Sequence, residues 1–307
     1  MKFDAAIMIA YGGPEKPEDI MPFLRRVAKG RPIPEERLRE VAHHYEIIGG
    51  RSPINELTFR QAKGLEAVLA EKGMPMRVYV GMRNWHPLLA DTVKSMAHDG
   101  VRNVVGIILA TCQCYSSWEQ YQENFRDALA ESGVEIGIEY VPPVYNHPLF
   151  IESVAENVAE CLREIPVEER KLTKLLFTAH SIPLEMAEGS PYVEQLLEAS
   201  RLVSERVHFP DWTLCFQSRS GRPEDPWLEP DVCEVIERLS EEGVKHVIVE
   251  PIGFVCDHVE VLYDIGVEAK KVAEELGVIL HVAKTVNDSR KFLLALADLV
   301  EKTVRMG

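Results

Sequence analysis

One histidine in this sequence occupies a position where its side chain could carry out proton or metal chemistry. His180 follows the apolar residues 175–177 and precedes Ser181, Ile182 and Pro183. This order predicts an imidazole at the end of a buried strand, where the proline turns the chain. An imidazole placed there can serve as a general base or as a metal ligand. A histidine that caps a turn fits the same pattern, so the residue alone leaves both interpretations open.

A row of carboxylates forms the second group with evident chemistry. Glu260, Asp264 and Glu268 are spaced i, i+4 and i+8, so a helix would stack them along one face. They directly follow the strongly apolar residues 247–255, which places one end of the row near a buried part of the fold. Carboxylate rows suit hard or borderline cations, although a solvated acidic face would show the same spacing.

The elements that must position these groups follow an alternating pattern. Short apolar runs alternate with amphipathic segments along the whole chain, which is typical of a parallel sheet covered by helices on both faces. The predicted strands fall into two sets of four: 5–10, 76–81, 104–110 and 134–140, then 174–179, 212–217, 246–251 and 278–283. The proline-rich residues 141–148 separate the sets, which predicts an N-terminal domain of residues 1–146 and a C-terminal domain of residues 147–307 that includes the last helix.

The two halves also resemble each other internally. Residues 9–14 and 178–183 share one pattern: the end of a strand, an alanine, a residue with a polar ring, two further residues and a proline. The residue with the polar ring is Tyr11 in the first segment and His180 in the second, so the two are equivalent. The repeat indicates a duplicated α/β domain. Ligands bind beyond the carboxyl ends of the strands in such sheets, so we expect these rings and the loop that carries Glu260 to meet at one cleft.

Composition excludes several classes of function. The chain has 34 basic and 49 acidic residues, a net charge of −15, and no run of five basic residues, which disfavours a nucleic-acid partner. The apolar stretch 104–110 is far shorter than the roughly 20 residues that span a bilayer, and no secretory signal is evident. We therefore expect a cytoplasmic protein without stable membrane insertion. The turn Gly12-Gly13-Pro14 lacks the spacing of a dinucleotide-binding loop.

Several longer segments closely resemble the ferrochelatases, the enzymes that insert ferrous iron into a porphyrin, and in particular the bacterial coproporphyrin III type. The matching segments are 10–14, 45–54, 81–87, 177–183, 189–192, 217–218, 225–230 and 253–264. They span nearly the whole chain. The resemblance implies two similar Rossmann-like, chelatase-type domains, each a parallel sheet flanked by helices, with the porphyrin held in the cleft between them.

The resemblance also implies roles for particular residues. His180 and Glu260 match the family's facing catalytic pair at the metal-insertion site, with the division of roles between them left open. Asp264 and Glu268 match the acidic path that admits the metal. Three residues match positions that contact the porphyrin: Tyr11, Ser52 and Tyr121. Such groups suit the reaction because a porphyrin must lose two N–H protons as it accepts a dication, and an imidazole and a carboxylate offer places for those protons.

Iron is expected here as a substrate and not as a resident cofactor. Many relatives carry a [2Fe–2S] cluster whose ligands include cysteines near the C-terminus, whereas residues 300–307 contain none. The expectation is therefore a chain without a prosthetic group. The six cysteines fit a reducing compartment better than a disulfide framework.

The choice of porphyrin is predicted from one segment. Residues 22–45 are longer and apolar in the membrane-associated protoporphyrin enzymes, whereas here they are short and basic, with Arg25, Arg26, Lys29, Arg31, Arg37 and Arg39. This favours coproporphyrin III as the substrate, because it has four propionates whereas protoporphyrin IX has two. We expect the enzyme to be a monomer. The alternatives are a protoporphyrin IX ferrochelatase, a cobalt or nickel chelatase of another tetrapyrrole pathway, and a non-catalytic tetrapyrrole-binding module.

Overall fold

The computed structural model describes residues 3–30, 33–220 and 224–306. In chain order its strands and α-helices are β1 Ala5–Ala10, α1 Ile20–Val27, α2 Glu35–Ile47, α3 Ile54–Glu71, β2 Arg77–Met82, α4 Leu89–His98, β3 Asn103–Ile108, α5 Gln120–Ser132, β4 Gly137–Tyr140, α6 Pro148–Glu164, β5 Thr173–His180, α7 Leu184–Glu188, α8 Tyr192–Val207, β6 Trp212–Gln217, α9 Val232–Glu241, β7 His246–Glu250, α10 Lys270–Glu275, β8 Ile279–Val282 and α11 Arg290–Met306. Short 3₁₀ helices cover Pro17–Asp19 and Val167–Leu172, and π-helical segments cover Tyr115–Glu119 and Glu260–Ala269.

The strands form two parallel sheets of four, in the orders β2-β1-β3-β4 and β6-β5-β7-β8. Both orders follow the same rule, with the first strand of each set second in its sheet, as the internal repeat predicted. The predicted α/β class with two similar, helix-flanked parallel sheets is therefore confirmed.

The ends of the strands differ from the predictions by up to three residues. The largest difference is at β4, which begins at Gly137 and not at residue 134. The reason is the end of α5, where Gly133 adopts the left-handed conformation at φ 61° and Val134 donates its N–H to Leu129 O at 3.1 Å. That bond belongs to the helix C-cap, so Val134 is not available to the sheet.

The chain divides into two compact units. Unit 1 contains Met1–Leu109, Ser116–Pro143 and Asp288–Gly307, and unit 2 contains Ala110–Tyr115 and Val144–Asn287. The sequence predicted a single division at residue 146, with the last helix in the second domain, whereas α11 packs against α3 of unit 1. The physical reason is close packing at Gly64, where an added Cβ would lie only 2.4 Å from a methyl carbon of Leu293.

In unit 2 the central strand β5 brings His180 to the carboxyl edge of its sheet. Leu175, Leu176, Phe177 and Ala179 on this strand are completely buried, whereas His180 at its end is partly exposed. After β7, residues 251–258 form a loop that leads into the π-helix. Gly253 lets this loop approach β5 closely, because an added Cβ would lie 2.6 Å from the Cβ of Ala179, and its N–H donates to Thr178 O at 3.0 Å.

Candidate functional site

His180 presents one ring nitrogen as a proton acceptor. Its Nδ1 is hydrogen-bonded to the backbone oxygen of Ser181. Because a carbonyl oxygen only accepts hydrogen bonds, Nδ1 carries the proton in the neutral ring and Nε2 carries the lone pair. The backbone of the same residue is fixed by the Tyr192 hydroxyl, which donates to His180 O at 3.0 Å. The imidazole is therefore in the tautomer that a general base acting through Nε2 requires.

Glu260 faces that nitrogen from the first residue of the π-helix. Its Oε2 lies 3.8 Å from His180 Nε2 and 3.8 Å from His258 Nε2. Both distances suit ion pairs but are too long for hydrogen bonds, and this buried oxygen has no hydrogen-bond partner among the described residues. Burial raises the pKa of Glu260, but His180 and His258 outweigh burial and lower it to about 2. The carboxylate is therefore ionised at neutral pH.

His258 is a member of this group that the sequence reasoning missed. Its Nδ1 lies 3.2 Å from Cys256 O, and its ring packs against Phe254 with centroids 4.5 Å apart. Burial alone would lower the pKa of His258, but the Glu260 carboxylate and the Cys256 carbonyl raise it above its ordinary value. The signal in the sequence was its place two residues before Glu260.

Asp264 lies one step further along the row and has a partner that the sequence reasoning did not identify. The Ser218 hydroxyl donates to its carboxylate. Burial, followed by the negative charge of Glu260, raises the pKa of Asp264 to about 7. Ser218 adopts a left-handed backbone conformation, with φ 62°, which is uncommon outside glycine and often marks functional sites. Asp264 can therefore exchange protons near neutral pH.

Glu268 completes the row at the surface. Its side chain is exposed, whereas Glu260 and Asp264 are partly buried. Repulsion from Glu268 also contributes to the raised pKa of Asp264, which places the two carboxyls within electrostatic reach. The three carboxylates therefore lead from a partly buried end beside His180 to solvent.

The helix that carries the row is a π-helix. The π-helix runs over Glu260–Ala269, and at its end Lys270 donates its N–H to Ile265 O, five residues back. A spacing of four lies between the α-helical repeat of about 3.6 residues and the wider π-helical turn, so the pattern does not distinguish them. The buried residues Val261, Ile265 and Ala269 share that spacing. The carboxylates therefore still follow one side of the helix.

Unit 1 brings together the three residues predicted to contact the porphyrin, around the turn after β1. Tyr11 follows β1 directly, and Ser52 donates its N–H to Pro14 O at 2.8 Å. Arg83 connects Tyr11 with Tyr121: its guanidinium lies 4.3 Å from the centre of the Tyr121 ring and 5.9 Å from that of Tyr11. The sequence reasoning did not single out Arg83, although it lies within the matched segment 81–87.

Arg83 is held in place by polar contacts within the same unit. Its Nε donates to Asn124 Oδ1 at 2.6 Å and its Nη1 donates to Ser116 O at 3.3 Å. A guanidinium has further N–H groups beyond these, so the cation remains able to bind an anionic group.

The basic segment 22–45 is partly neutralised by its own acidic residues. Arg25 pairs with Glu35 at 2.8 Å, and Arg37 pairs with Glu40 at 2.7 Å, all on exposed side chains. Arg31 lies outside the described residues. Exposed pairs of this kind are weak, so an incoming carboxylate can displace them at little cost.

The described residues contain neither a preformed metal site nor a helix that could span a membrane. Within residues 3–30, 33–220 and 224–306, no three His, Cys, Asp or Glu side chains are arranged to hold a metal ion by themselves. No described helix is both long enough and apolar enough to cross a membrane.

Comparison with known proteins shows the family to which the chain belongs. The sequence profile of the ferrochelatase family matches residues 4–304. The chain belongs to the ferrochelatase family. A member from Streptomyces coelicolor, named coproporphyrin III ferrochelatase, is 41% identical over 317 residues, which cover 97% of this chain and 84% of the relative. A protein of the same name from Mycolicibacterium smegmatis is 41% identical, covering 98% and 90%. A ferrochelatase from Rhodopirellula baltica is 39% identical, covering 99% and 87%.

Solved structures of other chelatases share the fold of this ferrochelatase. The sirohydrochlorin chelatase of Bacillus subtilis subspecies spizizenii, solved with cobalt, aligns with a TM-score of 0.59 over 99% of this chain and 96% of its own, at 12% identity. The terminal enzyme of siroheme biosynthesis in denitrifying bacteria aligns with a TM-score of 0.54 over 97% and 98%, at 13% identity. The predicted chelatase-type fold and the predicted class of enzyme, a metal chelatase among the lyases, are confirmed.

Proposed function

We propose that this ferrochelatase inserts ferrous iron into coproporphyrin III in haem biosynthesis, giving coproheme and two protons. The observation that carries the proposal is the facing pair in unit 2, in which the Nε2 lone pair of His180 lies 3.8 Å from an ionised Glu260. The names of the 41% identical relatives support coproporphyrin III as the porphyrin.

His180 is proposed to take the pyrrole protons one after the other, passing the first on through the acidic row before it accepts the second. A free-base porphyrin carries two N–H groups, and each N–H bond breaks as an iron–nitrogen bond forms, so iron stays ferrous throughout. The Nε2 lone pair accepts a proton, and the resulting imidazolium faces the Glu260 carboxylate. The Glu260 carboxylate balances the new positive charge, so it assists the transfer. His258 on the other side of the same carboxylate provides a second positive partner.

The acidic row is proposed to bring iron in. Ferrous iron accepts carboxylate oxygen and imidazole nitrogen ligands, and the row offers oxygens from exposed Glu268 through Asp264 to Glu260. Because its pKa is about 7, Asp264 can release a proton when the cation arrives and bind one when it leaves. The same residue can therefore serve both iron entry and proton exit.

Unit 1 is proposed to hold the porphyrin through its carboxylates. Tyr11, Ser52 and Tyr121 are the positions that the family resemblance assigns to substrate. The overall charge of −15 opposes a tetra-anionic substrate, so local cations must prevail at close range. Screening over about 8 Å at physiological salt limits the repulsion from distant acidic groups. Arg83 and the basic segment 22–45 supply such local cations.

The experiment that tests the proposal is anaerobic incubation of the purified protein with coproporphyrin III and Fe²⁺, followed by absorption. We expect the spectrum of the free base to give way to that of coproheme, and no lipid requirement. Parallel reactions with Co²⁺ and Ni²⁺ address the cobalt or nickel alternative, and faster metallation with either cation would contradict a role in haem synthesis. Binding of the porphyrin without any metallation would contradict an enzyme. The cytoplasmic location and the monomeric state stay predictions.

A further inference from the structure

Four side chains form a continuous chain at the amino-terminal end of the unit 2 sheet. His246 Nε2 lies 2.9 Å from Glu169 Oε2, His246 Nδ1 lies 3.1 Å from His281 Nε2, and His281 Nδ1 lies 3.4 Å from Glu164 Oε2. His246 opens β7, whereas the loop that leads to Glu260 follows the other end of that strand. This group therefore lies outside the site described above.

The sheet register brings the two histidines together. Ile248 of β7 pairs with His281 of β8, and His246 pairs with Ile279, so the two rings lie on the same face two residues apart. The His246 side chain is 5% exposed and that of His281 is 11% exposed. Glu164 ends α6, and Glu169 lies in the 3₁₀ helix Val167–Leu172. The chain thus joins four elements, including β8 at the edge of the sheet.

Counting hydrogens shows that these contacts need one proton more than two neutral rings possess. An ionised carboxylate only accepts, so both outer contacts require a ring N–H, on His246 Nε2 and on His281 Nδ1. The contact between the rings is a hydrogen bond only if one of the two facing nitrogens also carries a hydrogen. Three ring protons on two imidazoles make one neutral ring and one imidazolium. With two protons one contact is lost, and with four the facing N–H groups oppose each other.

The partner carboxylates support this count. Hydrogen bonds from His246 and Lys245 hold the pKa of Glu169 below its ordinary value, so Glu169 acts as an acceptor at neutral pH. Lys245 reaches the other oxygen of Glu169 at 3.2 Å. Glu164 is 70% exposed at the opposite end of the chain.

We propose that His246 and His281 bind a single shared proton, and that this proton is what closes the Glu169-His246-His281-Glu164 chain and fastens β8 and α6 to β7. The chain of hydrogen bonds is complete only with three ring protons. It opens at alkaline pH when one proton leaves, and at acid pH when a fourth arrives. The stabilisation should therefore peak at intermediate pH and fall on both sides.

Several of the other charged groups on the surrounding elements have partners of their own. The titratable groups on the packed elements include Glu160, Cys161 and Arg163 on α6, Glu168, Arg170 and Lys171 in the 3₁₀ helix, Lys174 on β5, buried Glu250 on β7 and Lys284 after β8. Glu160 lies 3.9 Å from Arg163 and 4.0 Å from Lys284, Lys174 pairs with Asp211, and Arg170 donates to Leu162 O.

The first test counts ring protons directly by NMR of protein labelled with ¹⁵N-histidine. We expect three of the four ring nitrogens of the pair to be protonated at pH 7, with assignments from His246→Asn and His281→Asn. Two protonated nitrogens would overturn the proposal.

The variant Glu164→Gln sharpens this test and is expected to fold, because the side chain is largely exposed. The glutamine amide can donate to His281 Nδ1, which closes the chain with two ring protons and a neutral pair. Its oxygen could accept instead, but the third ring proton would then lack the Glu164 charge that stabilises the imidazolium. The count should fall from three to two. An unchanged count of three protonated ring nitrogens would contradict the proposal.

The second test follows thermal unfolding between pH 5 and 9. His281→Asn should lower Tm by about 2–4 °C at neutral pH and by less at either extreme, as expected for a lost buried contact. His208→Asn is the matched control, because His208 is exposed in the same unit and asparagine tolerates its left-handed φ of 55°. A difference independent of pH would overturn the proposal. A rise in Tm on adding equimolar Zn²⁺, absent in His281→Asn, would show a metal-binding pair instead and would also overturn it.

Discussion

The Nε2 atom of His180 lies 3.8 Å from Oε2 of Glu260, while Nδ1 of the same ring is hydrogen-bonded to the carbonyl oxygen of Ser181. The carbonyl fixes the proton on Nδ1, so the neutral ring offers its lone pair on the side of the carboxylate. This relationship gives the pair a direction for proton transfer, and the first prediction depends on it.

Replacing His180 with alanine should lower kcat by about 10²–10⁴, which is the usual effect of losing an acid–base group. Porphyrin affinity should change little, because the substrate contacts predicted in unit 1 remain. Initial rates of iron insertion and fluorescence titration of the porphyrin measure the two effects. His98→Ala, at an exposed helical histidine, is the control. A variant of His180 that keeps more than about a tenth of the wild-type kcat would remove this residue from proton transfer.

Neutralising the two ends of the acidic row should have different kinetic effects. Glu268→Gln removes a carboxylate at the exposed end, so the KM for Fe²⁺ should rise while kcat at saturating iron stays near that of the wild type. Glu260→Gln removes the carboxylate that faces His180, so kcat itself should fall. Steady-state rates over a range of Fe²⁺ concentrations separate the effects, with exposed Glu274→Gln as the control. Equal effects from both substitutions would favour a merely solvated acidic face.

Asp264 should make stability and iron capture depend on pH near neutrality. Its pKa is raised from 3.8 to about 7, so its stabilising contribution is complete below about pH 4 and is lost as the pH rises through 7. Asp264→Asn stays uncharged, so it should be more stable than the wild type at pH 8, by on the order of 1–3 kcal/mol, but not at pH 4.

The same variant should flatten the rise of kcat/KM for Fe²⁺ through pH 7. Urea unfolding and pH–rate profiles measure the two effects, with exposed Asp127→Asn as the control. If the profile of Asp264→Asn kept the wild-type inflection, another group would be responsible for it.

Because of buried Glu250, the stability of unit 2 against unfolding should fall as the pH rises. The residue is 1% exposed and its Oε2 has no hydrogen-bond partner among the described residues, while burial and the charge of Asp257 raise its pKa well above the ordinary value. Its contribution to stability is therefore complete below about pH 4.5 and falls at higher pH as the unfolded chain loses the proton.

Glu250→Leu removes the buried carboxyl, so it should increase the free energy of unfolding more at pH 8 than at pH 5. This difference between the two pH values should be about 1–3 kcal/mol larger than the same difference for exposed Glu241→Leu. Chemical denaturation at both pH values is the measurement. Destabilisation by Glu250→Leu at pH 8 would indicate that the carboxyl is ionised and paired in the folded state.

The sequence was sufficient to predict the strands and the strand-end histidine because those depend on local pattern. Residues 5–10 are wholly apolar, and β1 occupies those same residues. His180 could be placed at a strand end because the buried run stops there and Pro183 follows. Glu260 and Asp264 could be grouped because their spacing alone places them near one another.

The rest depended on contacts between residues that are distant in sequence. Ser218 joins Asp264 across 46 positions, and its left-handed backbone has no signal comparable to glycine. The return of α11 to α3 depends on Leu293 fitting against Gly64. The π-helix differs from an α-helix by hydrogen-bond register, which a spacing of four does not reveal.

The most direct measurement for the central claim is a competition assay. Equimolar coproporphyrin III and protoporphyrin IX are mixed with limiting Fe²⁺ and the wild-type protein under anaerobic conditions, and the two iron products are separated and quantified. The product ratio reports the ratio of the two kcat/KM values. The account predicts predominantly coproheme, with the preference reduced at high salt because the substrate carboxylates are recognised by charge. Predominantly protohaem would contradict the assignment of coproporphyrin III as the substrate.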